Sequence, residues 1–326
     1  MRPWKRLLAA ALFAVPVAVL ADPVGYAVGS GGSGFGGSST LWRIDLGSGA
    51  ATLVGPIGYV DVEGLAFAPD GTLYAVADAG AACAGVCPGG TDLLLHIDLQ
   101  SGAGQVVGAL GLAALGDLDY GLAATCDGRL WASSDTTGQL WEINRFGGGS
   151  RLVGALGAPV SGLAAWGQDL YGISVADDLA LYRIDVETGA ATRLGPLGLP
   201  NAFYDAGLDF DADGRLWATI DYFNPPPPDD LLPEGLRRND IAELDPETGA
   251  GSLAGTITGA GTGLATVQME GLAIATGGGC GAGEPPQPPP DPEPRLAAVP
   301  ADAPWALAAL VPVLLLLGGL SLRRNG

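Results

Sequence analysis

The sequence predicts an all-β, five-bladed β-propeller that is closed by its N-terminal strand. One unit occurs five times, each repeat carries an aromatic residue at one fixed strand position, and the two ends of the folded part supply complementary halves of one blade. The copies begin at Leu41, Leu94, Leu140, Leu181 and Ile241, so their starts are 53, 46, 41 and 60 residues apart. Periods of roughly 40 to 60 residues are typical of propellers and other stacked arrays.

The repeat is clearest between Leu181 and Gly198, which reads LYRIDVETGAATRLGPLG. An alternating strand leads into a polar turn of the form Asp-x-x-Ser/Thr-Gly-Ala, and a second short strand follows. The turn opens on Asp45, Asp98, Asn144, Asp185 or Asp245. We expect these side chains to accept hydrogen bonds from turn amides, because each turn has one well-placed carboxylate and calcium needs six or more oxygens.

Each repeat also contains two earlier strands. The first opens with a Gly-Leu pair at Gly64, Gly121, Gly162, Gly207 or Gly271. The second carries its aromatic residue at Tyr74, Trp131, Tyr171 or Trp217. On the strand that opens the repeated stretch, alternation predicts that Trp42, Trp141 and Tyr182 pack between blades.

The remaining second strand is Val24 to Ser30, where Tyr26 occupies the aromatic position. Its missing first strand is Gly271 to Ala275, at the far end of the domain. We therefore predict that these two segments pair and close a ring, which removes exposed sheet edges. The alternative is an open solenoid, which would need atypical end caps.

The ends of the chain predict export. Residues 1–21 form a signal peptide with a basic start, an apolar run and a small-residue cleavage site, an uncleaved anchor being the alternative. The propeller is expected over residues 22–276. A Gly/Pro-rich linker over residues 277–298 should form an extended, semi-rigid stalk.

Residues 305–322 carry no charge and precede Arg323 and Arg324. As a helix this segment would extend about 27 Å, which is enough to cross the hydrocarbon layer with the arginines on the cytoplasmic side. We predict a C-terminal transmembrane helix, and a buried core helix is the alternative.

The segment 299–326 resembles bacterial C-terminal sorting signals of the PEP-CTERM-like class, in particular the IPTL-CTERM type. Val299 and Pro300 stand for its Ile-Pro, Trp305 for its tryptophan, and Arg323 with Arg324 for its basic tail, whereas Ala301 and Asp302 depart from its Thr-Leu. The resemblance implies anchoring in the membrane, cleavage by a sorting protease, and delivery to the cell surface or extracellular matrix of a Gram-negative-type bacterium, where a surface or matrix ligand would be the partner. The repeats likewise resemble those of bacterial exported β-propeller proteins.

Charge and composition exclude several functions. The formal net charge is −20, and five of the fifteen basic residues lie in the terminal segments, so the body repels nucleic acid. Lys5, the only lysine, precedes the cleavage site, which excludes lysine nucleophiles from the mature chain. His96 is the only histidine and occupies a solvent-facing repeat position, so His-rich zinc sites are excluded.

Carboxylates are predicted at one mouth of the central channel, just before the Gly-Leu pairs: Asp61, Glu63, Asp117, Asp119, Asp205 and Glu270. The second strands end on the same face with Asp78, Asp135 and Asp221. Such a ring could hold calcium or another hard cation. We predict a non-catalytic binding module that uses this mouth or the inter-blade loops, and we assign no catalytic residue. The arrangement is similar to SMP-type propeller lactonases and gluconolactonases, which implies a metal-dependent hydrolase or lactonase as the alternative.

The four cysteines of an exported chain predict disulfides, with three possible pairings. Cys83 and Cys87 share one loop on the acidic face and are the favoured pair. Cys126 and Cys280 both lie toward the opposite face, but in blades that are not neighbours, so the run Gly277 to Gly279 would have to carry Cys280 across. A metal-binding cysteine pair is the remaining alternative.

Overall fold

The computed structural model is an all-β propeller. It describes residues 23–30, 37–77, 92–112, 115, 118–175, 178–199, 203, 205–222, 238–259, 267–275 and 279–280. The chain divides into two units, Met1–Pro286 and Gln287–Gly326, and every described residue lies in the first. Within the described residues, the strands form five antiparallel sheets of four strands each, so the predicted five blades are confirmed.

The strands follow the chain in blade order. Blade 1 begins with β1 (Val24–Ser30), β2 (Thr40–Asp45) and β3 (Ala51–Pro56). Blade 2 contains β4 (Val62–Phe67), β5 (Leu73–Ala77), β6 (Leu93–Ile97) and β7 (Gly104–Ala109). Blade 3 contains β8 (Tyr120–Ala124), β9 (Leu130–Ser134), β10 (Gln139–Ile143) and β11 (Ser150–Ala155). Blade 4 contains β12 (Val160–Trp166), β13 (Asp169–Ser174), β14 (Ala180–Ile184) and β15 (Ala191–Pro196). Blade 5 contains β16 (Asp205–Phe210), β17 (Leu216–Tyr222), β18 (Arg238–Leu244) and β19 (Gly251–Thr256), and β20 (Gln268–Ile274) completes blade 1.

The ring closes through blade 1. β1 pairs antiparallel with β20, with Tyr26 opposite Ala273 and Ala27 opposite Leu272. This confirms the predicted pairing of the two ends. The inner strands β20, β4, β8, β12 and β16 contact one another in that order around the central axis. Each blade is therefore held by its own ladder and by its neighbours on both sides.

The Gly-Leu glycines bring the inner strands into backbone contact. A Cβ added to Gly121 would lie 2.1 Å from Ser161 O, and one added to Gly207 would lie 2.3 Å from Leu272 N. The same crowding occurs at Gly64, Gly162 and Gly271. Only glycine fits where backbones approach this closely. The five glycines line a space of about 10 Å³ between the inner strands.

A second set of glycines joins the blades at their outer strands. Gly195 on β15 packs against the turn of the next blade, since an added Cβ would lie 2.1 Å from Thr248 O. In that turn Gly249 has φ 78°, a left-handed conformation that favours glycine. A backbone hydrogen bond of 2.7 Å from Gly251 N to Leu197 O crosses the same joint. The Thr-Gly turn of the repeat therefore connects neighbouring blades as well as the strands within one blade.

Apolar side chains fill the space between the sheets. Trp42, Trp141 and Tyr182 are at most 7% exposed, which confirms their predicted position between blades. The predicted signal peptide and sorting segment, including Val299, Pro300 and the transmembrane span, lie outside the described residues and stay predictions. Among the helices of the described part, none is long and apolar enough to span a membrane.

Candidate functional site

Carboxyl groups on four successive inner strands meet at one end of the axis. Asp119 precedes β8, and Glu63, Glu270 and Asp205 lie on β4, β20 and β16. They are close enough that Asp119, Asp205 and Glu270 all affect the pKa of Glu63. Together with Asp61, which precedes β4 and has φ 50°, they form what we call the acidic mouth. Asp117 and Asp78 lie outside the described residues.

Three of these carboxyl groups are buried. Glu63 and Glu270 are each 8% exposed, and Asp205 is 9% exposed. Burial disfavours the charged form, so desolvation raises the pKa of Glu63 and of Glu270 well above the usual value, with a further increase from neighbouring carboxylates. Desolvation also raises the pKa of Asp205 to about 6. The mouth therefore concentrates acidic groups where water solvates them poorly.

Neighbouring blades supply some of the hydrogen bonds that these groups need. Glu63 Oε2 accepts the backbone N–H of Tyr120 at 2.5 Å. Asp205 accepts the Ser161 hydroxyl from β12, the one inner strand without a carboxyl group at this level. Glu63 thus caps the amide of Tyr120 at the start of β8. Ser161 likewise accepts the N–H of Ala206 at 3.3 Å, near the start of β16.

Glu270 is only half satisfied. Its Oε1 accepts the hydroxyl of Ser30 at the end of β1, whereas its Oε2 is buried and has no hydrogen-bond partner. Within the part of the chain that the structure describes, no ion pair involves Glu63, Asp205 or Glu270. A buried acceptor without a partner costs about 1–3 kcal/mol. A positively charged donor that entered the mouth would remove this cost.

The structure does not present a ready metal site. Among the described residues, no group of three or more His, Cys, Asp or Glu side chains is arranged to hold a metal ion. The predicted calcium site on Asp61, Glu63, Asp117, Asp119, Asp205 and Glu270 therefore stays a prediction. His96 is exposed on β6 opposite Tyr74, at the solvent-facing position that was predicted for it.

The opposite end of the axis, which we call the base, contains a cavity of about 170 Å³. The ends of the inner strands line it, together with Asp209 and Cys280. Asp209 Oδ2 accepts the N–H of Ile274 at 2.7 Å, and Oδ1 accepts that of Phe210 at 2.8 Å. Burial raises the pKa of this carboxyl to about 7. Asp209 thus bonds to the next amide on its own strand, β16, and to an amide of the neighbouring inner strand, β20.

Sequence reasoning missed Asp209, although the repeats contain a signal for it. The Gly-Leu pair is followed by alanine in four repeats, at Ala66, Ala123, Ala164 and Ala273. Only the remaining repeat has an aspartate there. The exception marks the position where a side chain caps the backbone of β20, the strand that closes the ring.

A disulfide crosses the base. Cys126 follows β8 in blade 3, Cys280 follows β20 in blade 1, and their Cα atoms are 5.3 Å apart. Gly279 packs on the indole of Trp166 in blade 4, where an added Cβ would lie 2.7 Å from the ring. Gly279 and Cys280 therefore lie beside blades 3 and 4, and the Cys126–Cys280 pair is confirmed. Cys83 and Cys87 lie outside the described residues, so their pairing stays a prediction.

The turn aspartates are structural, as predicted. Asp45 Oδ1 accepts the Ser48 amide at 2.8 Å, and Asp185 Oδ1 accepts the Thr188 amide at 3.1 Å. These hydrogen bonds lower the pKa of both carboxyl groups, in Asp45 chiefly through the Ser48 hydroxyl and in Asp185 chiefly through the Glu187 amide. The turn aspartates are a reference for the pKa values at the acidic mouth, because their carboxylate oxygens accept hydrogen bonds from the turn and lie near solvent.

Fold and site together define a five-bladed β-propeller with an acidic mouth at one end of its axis. No known family model matches the chain, and no curated protein matches it. Among solved structures it is similar to TolB from Acinetobacter baumannii, with 15% identity, a TM-score of 0.42, and coverage of 72% of this chain and 53% of that chain.

Two further solved structures are similar to it. For Kuenenia stuttgartiensis hydrazine synthase the identity is 14% and the TM-score 0.39, with 66% of this chain and 58% of that chain covered. For a protein of unknown function from Bacteroides thetaiotaomicron VPI-5482 the identity is 15% and the TM-score 0.39, with 56% and 51% covered. The chain thus spans a little over half of the length of these proteins. The fold assignment rests on its own strand order and pairing.

Proposed function

We propose that this protein is an exported, surface- or matrix-associated binding module whose contact surface is the acidic mouth. The observation that carries the proposal is that, among the described residues, the buried carboxyl groups of Glu63, Asp205 and Glu270 form no ion pair and Glu270 Oε2 accepts no hydrogen bond. A positively charged group of a surface or matrix ligand would supply what the cluster lacks. The propeller fold is consistent with a binding module, since its mouth is built on rigid strands.

The delivery part of the proposal is supported by the sequence of the termini. Residues 1–21 have the pattern of a signal peptide, and Trp305, Arg323 and Arg324 fit a sorting segment that holds the protein in the membrane until a sorting protease cuts it. Cys280, the last residue that the structure describes, is held at the base by the disulfide.

A binding measurement on the full chain tests the proposal. We expect a basic peptide to bind in isothermal titration calorimetry and to bind less tightly as salt rises, since the attraction is screened. The double substitution Glu63→Gln and Glu270→Gln should weaken binding at least about tenfold, which corresponds to about 1.4 kcal/mol. Asp185→Asn is the matched control because it removes an exposed turn carboxylate. Equal losses in both variants, or no binding to the wild type, would contradict the proposal.

A second candidate is a calcium-dependent hydrolase or lactonase acting at the same mouth. The vacant acceptor on Glu270 favours it, because a hard cation would also satisfy this oxygen. The test combines metal analysis of the native protein by mass spectrometry with turnover of a panel of lactones and phosphotriesters. Bound calcium, and activity that Glu63→Ala and Glu270→Ala abolish, would establish the enzyme. A metal-free native protein without turnover would eliminate it.

A further inference from the structure

We infer that the acidic mouth takes a primary ammonium group, such as a lysine side chain of the partner, and not a bare divalent metal ion. This inference rests on the proposed function and names the chemical class of its ligand. The carboxylate oxygens at the mouth support this ligand class. Glu270 Oε2 is buried and unpartnered, and Glu63 and Asp205 lie within electrostatic range of it on the two flanking inner strands, β4 and β16.

A metal ion at the mouth would need several oxygen ligands at once. Calcium takes six to eight oxygens at about 2.3–2.6 Å, which have to converge on one point. The described carboxyl groups show no such convergence. Three of their oxygens are already used as acceptors. Glu63 Oε2 accepts the Tyr120 N–H, Glu270 Oε1 accepts the Ser30 hydroxyl, and Asp205 Oδ1 accepts the Ser161 hydroxyl. Each carboxyl group therefore offers a hydrogen-bond acceptor more readily than a shared coordination sphere.

An ammonium group needs fewer converging oxygens and can use the unpartnered acceptor of Glu270. A lysine ammonium has three donors around one compact charge. Glu63, Glu270 and Asp205 lie on three consecutive inner strands, so an ammonium that donates to Glu270 Oε2 has a carboxyl group within electrostatic range on either side. Glu270 supplies the acceptor that has no other use. The planar guanidinium of arginine is suited to two coplanar oxygens of one carboxylate, whereas only one oxygen of Glu270, Oε2, lacks a partner.

The inner-strand glycines decide how far a ligand group enters the channel. The glycine constriction formed by Gly64, Gly121, Gly162, Gly207 and Gly271 lies directly below the mouth. The space there, of about 10 Å³, is lined by glycine, alanine, leucine and tyrosine residues, none of which is charged. The ligand group would therefore stop at the level of the carboxyl groups. A slender four-carbon side chain reaches this level while the rest of the partner stays on the outer face.

The test uses three small probes with the full chain at about pH 8 and constant ionic strength. They are Nα-acetyl-lysine methylamide, its Nε-trimethyl form and calcium chloride. The trimethyl form keeps the charge but has lost all three N–H donors. We expect the lysine probe to bind, the trimethyl form to bind at least about tenfold more weakly, and calcium to leave the affinity of the lysine probe unchanged.

Glu270→Gln provides the site-specific readout, because glutamine keeps the size of the side chain and removes its charge. We expect it to weaken the lysine probe at least about tenfold, while Asp245→Asn in an exposed turn has no effect. A circular dichroism spectrum shows that both variants are folded. Equal affinity for the lysine and trimethyl probes would overturn the inference, as would saturable calcium binding that displaces the lysine probe. Either result leaves the binding module standing, whereas no binding of any probe or of the basic peptide overturns both.

Discussion

The two ends of the propeller axis use carboxyl groups in opposite ways. At the base, both oxygens of Asp209 accept backbone N–H groups, one from Phe210 on its own strand β16 and one from Ile274 on the adjacent strand β20. At the mouth, four successive inner strands bring carboxyl groups together, and Glu270 Oε2 has no partner. The base is also crossed by the Cys126–Cys280 disulfide. The base is therefore built for stability.

This difference shows how a structural carboxylate can be told from a candidate binding group. A carboxylate that caps backbone amides is satisfied by the fold itself, as Asp185 is in its turn. A buried carboxylate that lacks donors lowers the stability of the fold unless it holds a proton or a ligand. Glu270 at the mouth has the second property, because its buried Oε2 accepts no hydrogen bond from the described residues. The following experiments therefore perturb the two ends separately.

The largest effect is expected at the disulfide of the base. The double substitution Cys126→Ser and Cys280→Ser should lower the free energy of unfolding by about 4 kcal/mol, because the cross-link closes a long loop. The sequence separation of the two cysteines is 154 residues. Chemical denaturation measures the loss. The double substitution Cys83→Ser and Cys87→Ser is the control, since a short loop contributes less; a larger loss in that control would contradict this view of the base.

The constriction between the two ends should respond next. Gly207→Ala should cost about 3 kcal/mol, because the added Cβ would lie 2.3 Å from the backbone nitrogen of Leu272 and the strands would have to move apart. Gly255→Ala is the matched control on β19, where an added Cβ meets nothing within 4 Å. The comparison is made by thermal or urea unfolding. Equal stability of the two variants would show that the inner strands are not in tight contact.

A smaller loss is expected at Asp209. Replacing it by alanine, the residue of the other four repeats, leaves the amides of Phe210 and Ile274 without their acceptor. We expect a loss of about 2 kcal/mol. Added acetate should restore part of it, since this ion can enter the cavity and accept the same N–H groups. Full stability of Asp209→Ala without acetate would mean that the carboxylate is not needed as a cap.

The mildest perturbation is a change of pH. A carboxyl group whose pKa is raised in the folded state stabilises the fold below its unfolded value, and this contribution is lost as pH rises through the folded value. For Asp205 this stabilisation is lost between pH 3.8 and about pH 6. The turn aspartates act in the other direction, because their pKa values are lowered. The double substitution Glu63→Gln and Glu270→Gln removes two groups whose pKa is raised. Compared with the wild type, the variant should therefore gain more melting temperature at neutral pH than at acid pH. An unchanged pH profile would argue against buried carboxyl groups at the mouth.

Much of the fold followed from the repeats. The aromatic position of Tyr26 and the Gly-Leu pair at Gly271 predicted the closing blade, because each completed a pattern that the other repeats show in full. Chain direction alone placed Glu63 and Glu270 at the same end of the axis. The turn aspartates were predicted because their hydrogen bonds are local, within two or three residues.

The features that the sequence did not reveal depend on contacts between distant residues. Gly195 reads as the end of a strand, and its function as an inter-blade joint appears only when Thr248 of the next blade lies against it. The acceptor role of Asp209 requires Ile274, which is 65 positions away. Whether Glu270 Oε2 has a hydrogen-bond partner depends on side-chain geometry, which the spacing of the repeats does not determine.

Direct titration of the side-chain carboxyl groups by carbon-13 NMR tests the central claim most directly, because it reads each group in the intact protein. We predict that Glu63 and Glu270 titrate well above 4.5 and that Asp205 titrates at about 6, whereas Asp185 titrates below 3.8. Adding the lysine probe should move Glu63 and Glu270 back toward ordinary values. If all four groups titrate at ordinary values and the probe moves none of them, the mouth is a solvated acidic surface and the account is wrong.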